Sequence, residues 1–206
     1  MARILETPES LSLQGEKKIV SVLFSDIRDF TALSETLAPD VLVSHLNKYF
    51  SAMVEAVQKQ NGMVDKFIGD GLLAVFGAPL PVPNSAQSAV EAARSMIVRL
   101  QAVNAEFARE GIGPIRIGIG IHTGEALVGN IGSDRKMEYT VIGDVVNTTS
   151  RIEGLNKTHN AHRSGILISG DTLAALNGQV PVEFIGEELM KGKTRKVAVY
   201  QVELAG

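Results

Sequence analysis

The pattern of apolar and polar positions predicts strands and helices in a regular order along the chain. Residues 18–24 (KIVSVLF) are apolar on both faces, as in a buried strand, and this strand leads directly to Asp26. Residues 39–61 carry apolar side chains at helical spacing and close on Asn61-Gly62, which predicts a long amphipathic helix. Asp26 is therefore expected at the end of the first strand.

A glycine-containing turn separates the next two predicted strands. Residues 63–67 and 72–76 are largely apolar and flank the sequence IGDG, which predicts a hairpin with Asp70 in its connection. The segment APLPVPN that follows holds three prolines and is expected to be a loop, and residues 85–110 then predict a second long helix. Asp70 is thus a second carboxylate placed in a turn.

The second half of the chain continues with short strands and helices. Strands are predicted at 115–121, 126–128, 166–169, 182–185 and 197–203, and helices at 145–155 and 170–176. The order of β, α, β-hairpin, α and β favours an α+β, ferredoxin-like (palm-type) fold with a mostly antiparallel sheet. Helices are expected mainly on one face, which leaves the other face free to meet a partner.

A single domain is expected over residues 17–206, because no internal repeat or low-complexity stretch divides the chain. Residues 1–16 are interpreted as an N-terminal linker, since they lack the basic start, apolar centre and cleavage site of a secretory signal. The apolar runs are shorter than the roughly 20 residues that cross a bilayer. We therefore expect the catalytic domain to be cytoplasmic. A full-length protein could carry regulatory domains on the N-terminal side and could be attached to a membrane.

The composition excludes several classes of function. The chain has no cysteine, which removes disulfides, zinc fingers and thiol nucleophiles. The net charge of -3 gives no overall field that favours DNA or RNA, so no nucleic-acid partner is expected. The hydrophobic share of 45% with only 5% aromatic residues predicts a core of aliphatic side chains, as in proteins that mix helices and strands.

Asp26 and Asp70 each lie where a strand enters a turn, and neighbouring central strands would bring the two carboxylates together. Two such carboxylates repel each other unless cations lie between them, and two Mg²⁺ ions about 4 Å apart would offset this repulsion. Either aspartate alone is better interpreted as the cap of a turn or helix. Only the sequence around the two aspartates distinguishes a metal-binding pair from two separate caps.

Five separated motifs resemble those of class III nucleotide cyclase catalytic domains. They are FSDIRDFT at 24–31, DKFIGDG at 65–71, GIHTGEALVGNIG at 120–132, EYTVIGDVVNTTSRIEG at 138–154 and MKGKTRKVAVYQV at 190–202. The resemblance implies that Asp26 and Asp70, helped by the backbone carbonyl of Ile27, bind two divalent metal ions, Mg²⁺ or Mn²⁺. It also implies that backbone amides from Ile27 to Thr31, with Phe30 and Thr31 at a helix start, hold a triphosphate.

The same resemblance assigns Asn147 and Arg151 to the stabilisation of the transition state. Their i, i+4 spacing places both on one helix face, although spacing alone would favour a solvated arginine paired with a nearby carboxylate. Lys191 matches the lysine that reaches the triphosphate in this family. Lys193 is close enough in sequence to be the alternative.

Two further positions imply which purine is bound. The position four residues before Asp70 is lysine in family members that use ATP and glutamate in those that use GTP, and here it is Lys66. Its partner position is Thr140, as in a bacterial subgroup, and a hydroxyl accepts from the adenine amino group. Because a hydroxyl also donates, Thr140 excludes guanine less firmly than a carboxylate would.

The resemblance therefore implies an adenylate cyclase that forms 3',5'-cyclic AMP and pyrophosphate from ATP in intracellular signalling. The metals and the base-reading residues of one site would come from different chains, so a head-to-tail homodimer would hold two shared sites. His122 is interpreted as a core or interface residue, and His159 and His162 lack the neighbours that a metal site needs. The competing hypotheses are a guanylyl cyclase, a diguanylate cyclase, which lacks its GG[DE]EF hairpin here, and an inactive regulatory module.

Overall fold

The computed structural model describes residues 15–133, 135–176, 180–189 and 196–204. The strands in this part of the chain are β1 (Glu16–Ile27), β2 (Met63–Ile68), β3 (Gly71–Phe76), β4 (Ile117–Ser133), β5 (Lys136–Ile142), β6 (Gly165–Ser169), β7 (Val182–Glu188) and β8 (Val197–Val202). The helices are α1 (Phe30–Thr36), α2 (Pro39–Lys59), α3 (Ser85–Arg109), α4 (Asp144–Gly154), α5 (Asn156–His159) and α6 (Gly170–Ala175).

The strands join in one sheet with the order β2-β3-β1-β4-β6-β8-β7, and β5 pairs with the far end of β4. All of these pairs are antiparallel except β4 with β6. The first four strands have the order expected of a ferredoxin-like unit, so the predicted α+β fold is confirmed. This topology places the end of β1 in the centre of the sheet, beside the turn between β2 and β3.

The two long helices cover one face of the sheet and form the main core with it. Leu23 of β1 and Ile119 of β4 are fully buried there, together with Met53 of α2 and Met96 of α3. Helix α3 begins where the Asn84 side chain accepts a hydrogen bond from a backbone amide of the first turn. Both helices match the predicted segments 39–61 and 85–110 to within two residues.

The opposite face is partly covered, which corrects the expectation that it is free. Val145 at the start of α4 packs with Val22 of β1 and Val141 of β5 in a second cluster. Ile152, further along α4, packs with Leu167 of β6 in a third cluster. The physical reason is the amphipathic pattern of α4, whose buried side chains all point toward the sheet.

The two strands predicted at 115–121 and 126–128 are in fact one long strand, β4. The sequence prediction separated them, whereas the strand continues without interruption through the glycines at 124 and 129. Both are paired in the ladder, Gly124 with Val20 and Gly129 with Thr140. Strand β5 was not predicted as an element, and helix α1 was expected only as the helix start at Phe30 and Thr31 that the resemblance implies. Within the described residues, no helix combines the length and the apolar character needed to cross a membrane.

Candidate active site

Two carboxylates meet where the first strand ends. Asp26 is the penultimate residue of β1, and Asp70 lies in the turn that leads into β3, the strand paired with β1. The backbone amide of Ile27 donates a hydrogen bond to Asp70 Oδ2 at 3.2 Å. Burial, followed by the nearby charge of Asp70, raises the pKa of Asp26 to about 6. The negative charges of Asp26 and Asp70 are therefore not fully balanced by the basic side chains around them.

A cavity of about 810 Å³ opens beside this pair and has an acidic and a basic part. Asp26 and Asp70 supply the carboxylates, and residues 27–32 line it through the end of β1 and the start of α1. Arg116, Lys157 and His162 supply the basic side chains. The structure thus brings together Asp26, Ile27, Phe30, Thr31 and Asp70, which were predicted from separate motifs. A volume of this size and polarity fits a small phosphorylated molecule.

The basic side chains were missed by the sequence analysis. Arg116 stands just before β4, where its position at a strand end was a usable signal. It is held there by an ion pair with Asp29 at 2.8 Å and by a hydrogen bond to the carbonyl of Ala161 at 3.1 Å. Lys157 and His162 carry no local signal, because only the path of the chain after α4 brings them to the cavity. His162 was considered in the sequence analysis only as a possible metal ligand and not as part of an anion-binding cavity.

A buried ion pair connects this cavity to helix α4. Arg28 Nη2 is bonded to Glu153 Oε1 and lies 4.0 Å from Asp26 Oδ2, and both side chains are almost completely buried. A side chain at Gly118 would meet both partners, so glycine leaves the space that the pair occupies. Because removal of either partner would leave an uncompensated buried charge, loss of Arg28 or of Glu153 alone is expected to be strongly destabilising.

Lys66 and Thr140 form a second cluster with carboxylates from β2 and β5. Lys66 Nζ lies 3.4 Å from Glu138 Oε2 and 3.5 Å from Asp65 Oδ2. The hydroxyl of Thr140 donates to Asp65 Oδ2 at 3.0 Å. The hydrogen bonds from Lys136 and then Lys66 lower the pKa of Glu138. The two residues predicted to read the purine therefore do lie together in one chain.

Asn147 and Arg151 lie on the side of α4 that faces away from the sheet. Asn147 is exposed and Arg151 is half-buried, whereas the neighbouring Thr148 and Ile152 are fully buried. Among the residues that the structure describes, the lining of the cavity includes neither of them, nor Lys66 or Thr140. Within one chain, the two carboxylates therefore lie apart from the residues predicted to stabilise the transition state and to read the purine. Lys191 and Lys193 lie outside the described residues.

The carboxylate pair fits a hard divalent cation that is completed by other ligands. In the described ranges there is no group of three or more acidic or histidine side chains that could enclose a metal by itself. Mg²⁺ is commonly held by one or two carboxylates together with water and substrate phosphates. Burial and the charge of Asp70 raise the pKa of Asp26, and a bound cation would offset both effects.

The adenylate and guanylate cyclase catalytic domain is the family whose model matches, over residues 13–204. The chain belongs to this family. Adenylate cyclase 1 of Rhizobium meliloti is 34% identical over 183 residues, which cover 89% of this chain and 27% of that protein. An adenylate cyclase of Anabaena cylindrica is 33% identical, over 89% of this chain and 36% of its own length.

Solved cyclase structures agree with the fold. The guanylyl cyclase Cya2 has a TM-score of 0.86 and 37% identity, with 94% of this chain and 96% of that chain covered. The adenylyl cyclase CyaB from P. aeruginosa has a TM-score of 0.86 and 35% identity, with 94% and 98% covered. The two neighbours are thus described as making different products. This cyclase domain spans 27% of the length of the Rhizobium meliloti relative and 36% of the length of the Anabaena cylindrica relative.

Proposed function

We propose that this cyclase domain is an adenylate cyclase, which converts ATP to 3',5'-cyclic AMP and pyrophosphate in a head-to-tail homodimer. The observation that carries the proposal is the cavity in which Asp26 and Asp70 face the basic side chains of Arg116 and Lys157. A metal–triphosphate complex has the complementary charges, because its cations suit the carboxylates and its phosphates suit the basic side chains. The named relatives that are adenylate cyclases support it.

Asp26, Asp70 and the carbonyl of Ile27 are the groups that would hold two divalent ions, Mg²⁺ or Mn²⁺. When bound, such ions favour ionisation of the ribose 3'-hydroxyl and offset the negative charge of the phosphates. The protein's own part is to hold the two carboxylates together against their repulsion. The amide of Ile27 does this for Asp70 through its hydrogen bond.

The remaining groups of the cavity bind and orient the triphosphate. Phe30 and Thr31 begin α1 and bring first-turn amides to the cavity wall, where they suit phosphate oxygens. Arg116 and Lys157 are placed to neutralise the two phosphates that leave as pyrophosphate. The reaction forms a bond from the ribose O3' to the α-phosphorus and breaks the bond from that phosphorus to the leaving pyrophosphate oxygen.

Arg151 and Asn147 are assigned to the charge that develops on the transferred phosphoryl group. An arginine donates two parallel hydrogen bonds to phosphate oxygens, and its charge offsets the negative charge of the transition state. Because both residues face away from their own chain's cavity, they suit the cavity of a second copy. This arrangement supports a dimer in which each site takes residues from both chains.

Exposed apolar side chains supply a surface for the second copy. Phe67 and Ile68 at the end of β2 and Met137 and Ile142 of β5 are between 43% and 51% exposed. Strands β2 and β5 contact each other, which brings exposed side chains of the two strands near one another, although the Phe67 ring also packs against Phe50 of α2. Apolar groups in such a cluster are typical of protein interfaces. A two-fold axis would use the same region of both chains.

ATP is proposed over GTP because of Lys66 and Thr140. Lysine is a donor and suits the acceptor nitrogen on the adenine edge, and a threonine oxygen accepts from the adenine amino group. The similarity to the guanylyl cyclase Cya2 makes GTP the competing substrate. Regulatory domains N-terminal to this segment are a further part of the proposal, supported by the greater length of the relatives, and a cytoplasmic location of this domain is another.

The proposal is tested by cyclic AMP formation with purified protein, ATP and Mg²⁺ or Mn²⁺. We expect activity in the unaltered protein, at least a hundredfold loss in Asp70→Asn, and full activity in Asp40→Asn, which changes an exposed aspartate in α2. Mixing Asp70→Asn with Arg151→Ala chains should restore about a quarter of the activity, since half of the random dimers then hold one complete site. Absence of product from the unaltered dimer would favour an inactive regulatory module.

A further inference from the structure

Asp65 occupies an irregular position in β2. Val64 pairs with Ala74 of β3 and Lys66 pairs with the adjacent Leu73, so Asp65 is an extra residue without a partner of its own in the ladder. Such a β-bulge bends a strand and redirects a side chain. The Asp65 side chain is completely buried, whereas the side chain of Lys66 is 39% exposed. The bulge thus turns a carboxylate inward beside the residue predicted to read the purine.

The carboxylate of Asp65 contacts both of the predicted base-reading residues. Its Oδ2 accepts a hydrogen bond from the Thr140 hydroxyl at 3.0 Å and lies 3.5 Å from Lys66 Nζ. Its Oδ1 is buried and has no hydrogen-bond partner among the described residues. A buried carboxylate that is incompletely satisfied is costly, which indicates a purpose other than stability.

The hydrogen bond to Asp65 determines what Thr140 offers to a ligand. A hydroxyl has one proton and two lone pairs, and a carboxylate only accepts hydrogen bonds. With its proton directed to Asp65 Oδ2, Thr140 presents lone pairs in every other direction. The ambiguity of a hydroxyl, which can both donate and accept, is removed.

An obligatory acceptor at this position distinguishes the two purines. The 6-position of adenine carries an amino donor, and the 6-position of guanine carries a carbonyl acceptor. Lys66 can donate to the adenine ring nitrogen and equally to the guanine carbonyl, so a lysine alone rejects guanine weakly. An acceptor held beside it matches adenine and opposes the guanine carbonyl.

We propose that Asp65 is a positioning residue for purine selection, which takes the proton of Thr140 so that Thr140 accepts a hydrogen bond from the adenine amino group. The inference rests on the proposed function, in which Lys66 and Thr140 read the base of ATP. It assigns the preference for ATP to a group that does not touch the nucleotide.

The test is the ratio of kcat/KM for ATP to that for GTP in Asp65→Asn. The new amide has nearly the same shape but can donate to Thr140, which frees the Thr140 proton for the guanine carbonyl. We expect the preference for ATP to fall by at least about tenfold, mainly through improved use of GTP. An unchanged ratio in an active Asp65→Asn enzyme would overturn the inference while leaving the cyclase function intact.

Two controls separate this role from a general loss of charge near Lys66. Glu138→Gln removes a carboxylate that contacts Lys66, whereas the Thr140 hydroxyl donates to Asp65, so the ratio should stay the same. In a Thr140→Val background, Asp65→Asn should cause no further change, because its effect acts through the missing hydroxyl. Equal shifts in Glu138→Gln, or additive shifts in the double variant, would contradict the inference.

A measurement on the unaltered protein covers the case in which Asp65→Asn does not fold. Purine riboside triphosphate keeps the ring nitrogen of ATP but lacks the amino group. We expect its kcat/KM to be about tenfold below that of ATP, because Thr140 then has no donor to accept from. Equal use of the two nucleotides would overturn the inference. If ATP itself gave no cyclic product, the proposed function would fail first.

Discussion

At the scale of single residues, the cavity is built from side chains whose charges are balanced only in part. Asp26 and Asp70 repel each other, and Arg116 already has a partner in Asp29. The ion pair of Arg116 is partly exposed, so it is worth little by itself. Arg116 can therefore leave Asp29 for a phosphate at small cost.

Replacing Arg116 with alanine should weaken the binding of ATP and of the product pyrophosphate. A hydrogen bond to a charged group contributes about 1.5–3 kcal/mol, so KM for ATP is expected to rise by roughly tenfold or more. Steady-state kinetics and pyrophosphate inhibition measure the effect. Arg99→Ala is the matched control, since Arg99 pairs with Glu55 on the helical side of the sheet. Equal effects of the two changes would show that Arg116 has no special role.

The residues of this site differ in how far the sequence could predict them. Asp26, Phe30, Thr31 and Asp70 lie in continuous motifs, which is why they were found. Lys157 reaches the cavity only through the path of the chain after α4. The role of Asp65 depends on a bulge and on a hydrogen bond from β5, neither of which has a signal in a single sequence.

At the scale of elements, helix α4 is fixed against β4 by very close packing. A Cβ atom at Gly120 would lie 2.7 Å from the carbonyl oxygen of Thr149 and 2.8 Å from Cα of Glu153. These are backbone atoms, which cannot rotate away. Periodicity alone cannot show that a helix approaches a strand this closely, so the sequence contains no indication of this contact at Gly120.

Gly120→Ala should therefore displace α4 and with it Arg151. We expect a loss of about 1–3 kcal/mol in the free energy of unfolding, measured by denaturant titration, together with a lower kcat. Gly124→Ala is the control on the same strand, because its Cβ would have no neighbour closer than 3.6 Å. A stable and fully active Gly120→Ala protein would contradict the account of this packing.

At the scale of the whole molecule, one chain holds two separate sets of the predicted functional residues. The carboxylates and basic groups line one cavity, while Asn147 and Arg151 face away from it. The sequence predicted the fold and the dimer through resemblance to a family. It did not predict how β5 and α4 divide the face of the sheet that was expected to be free.

Ile142→Glu should separate the dimer if the exposed side chains of β2 and β5 meet a second copy. Burial of an unpaired carboxylate is costly, so the dissociation constant should rise by at least about tenfold and activity should fall in parallel. Analytical ultracentrifugation measures the first effect and a cyclase assay the second. Val98→Glu places the same charge on exposed α3 and should change neither. A fully active Ile142→Glu dimer would place the interface elsewhere.

The most direct test of the account is the product formed when the purified protein is given equal concentrations of ATP and GTP with Mn²⁺. We expect cyclic AMP in at least about tenfold excess over cyclic GMP, because Lys66 and Thr140 present a donor and an acceptor to the purine edge. Predominant cyclic GMP would contradict it and would assign the chain to the guanylyl cyclases of its family.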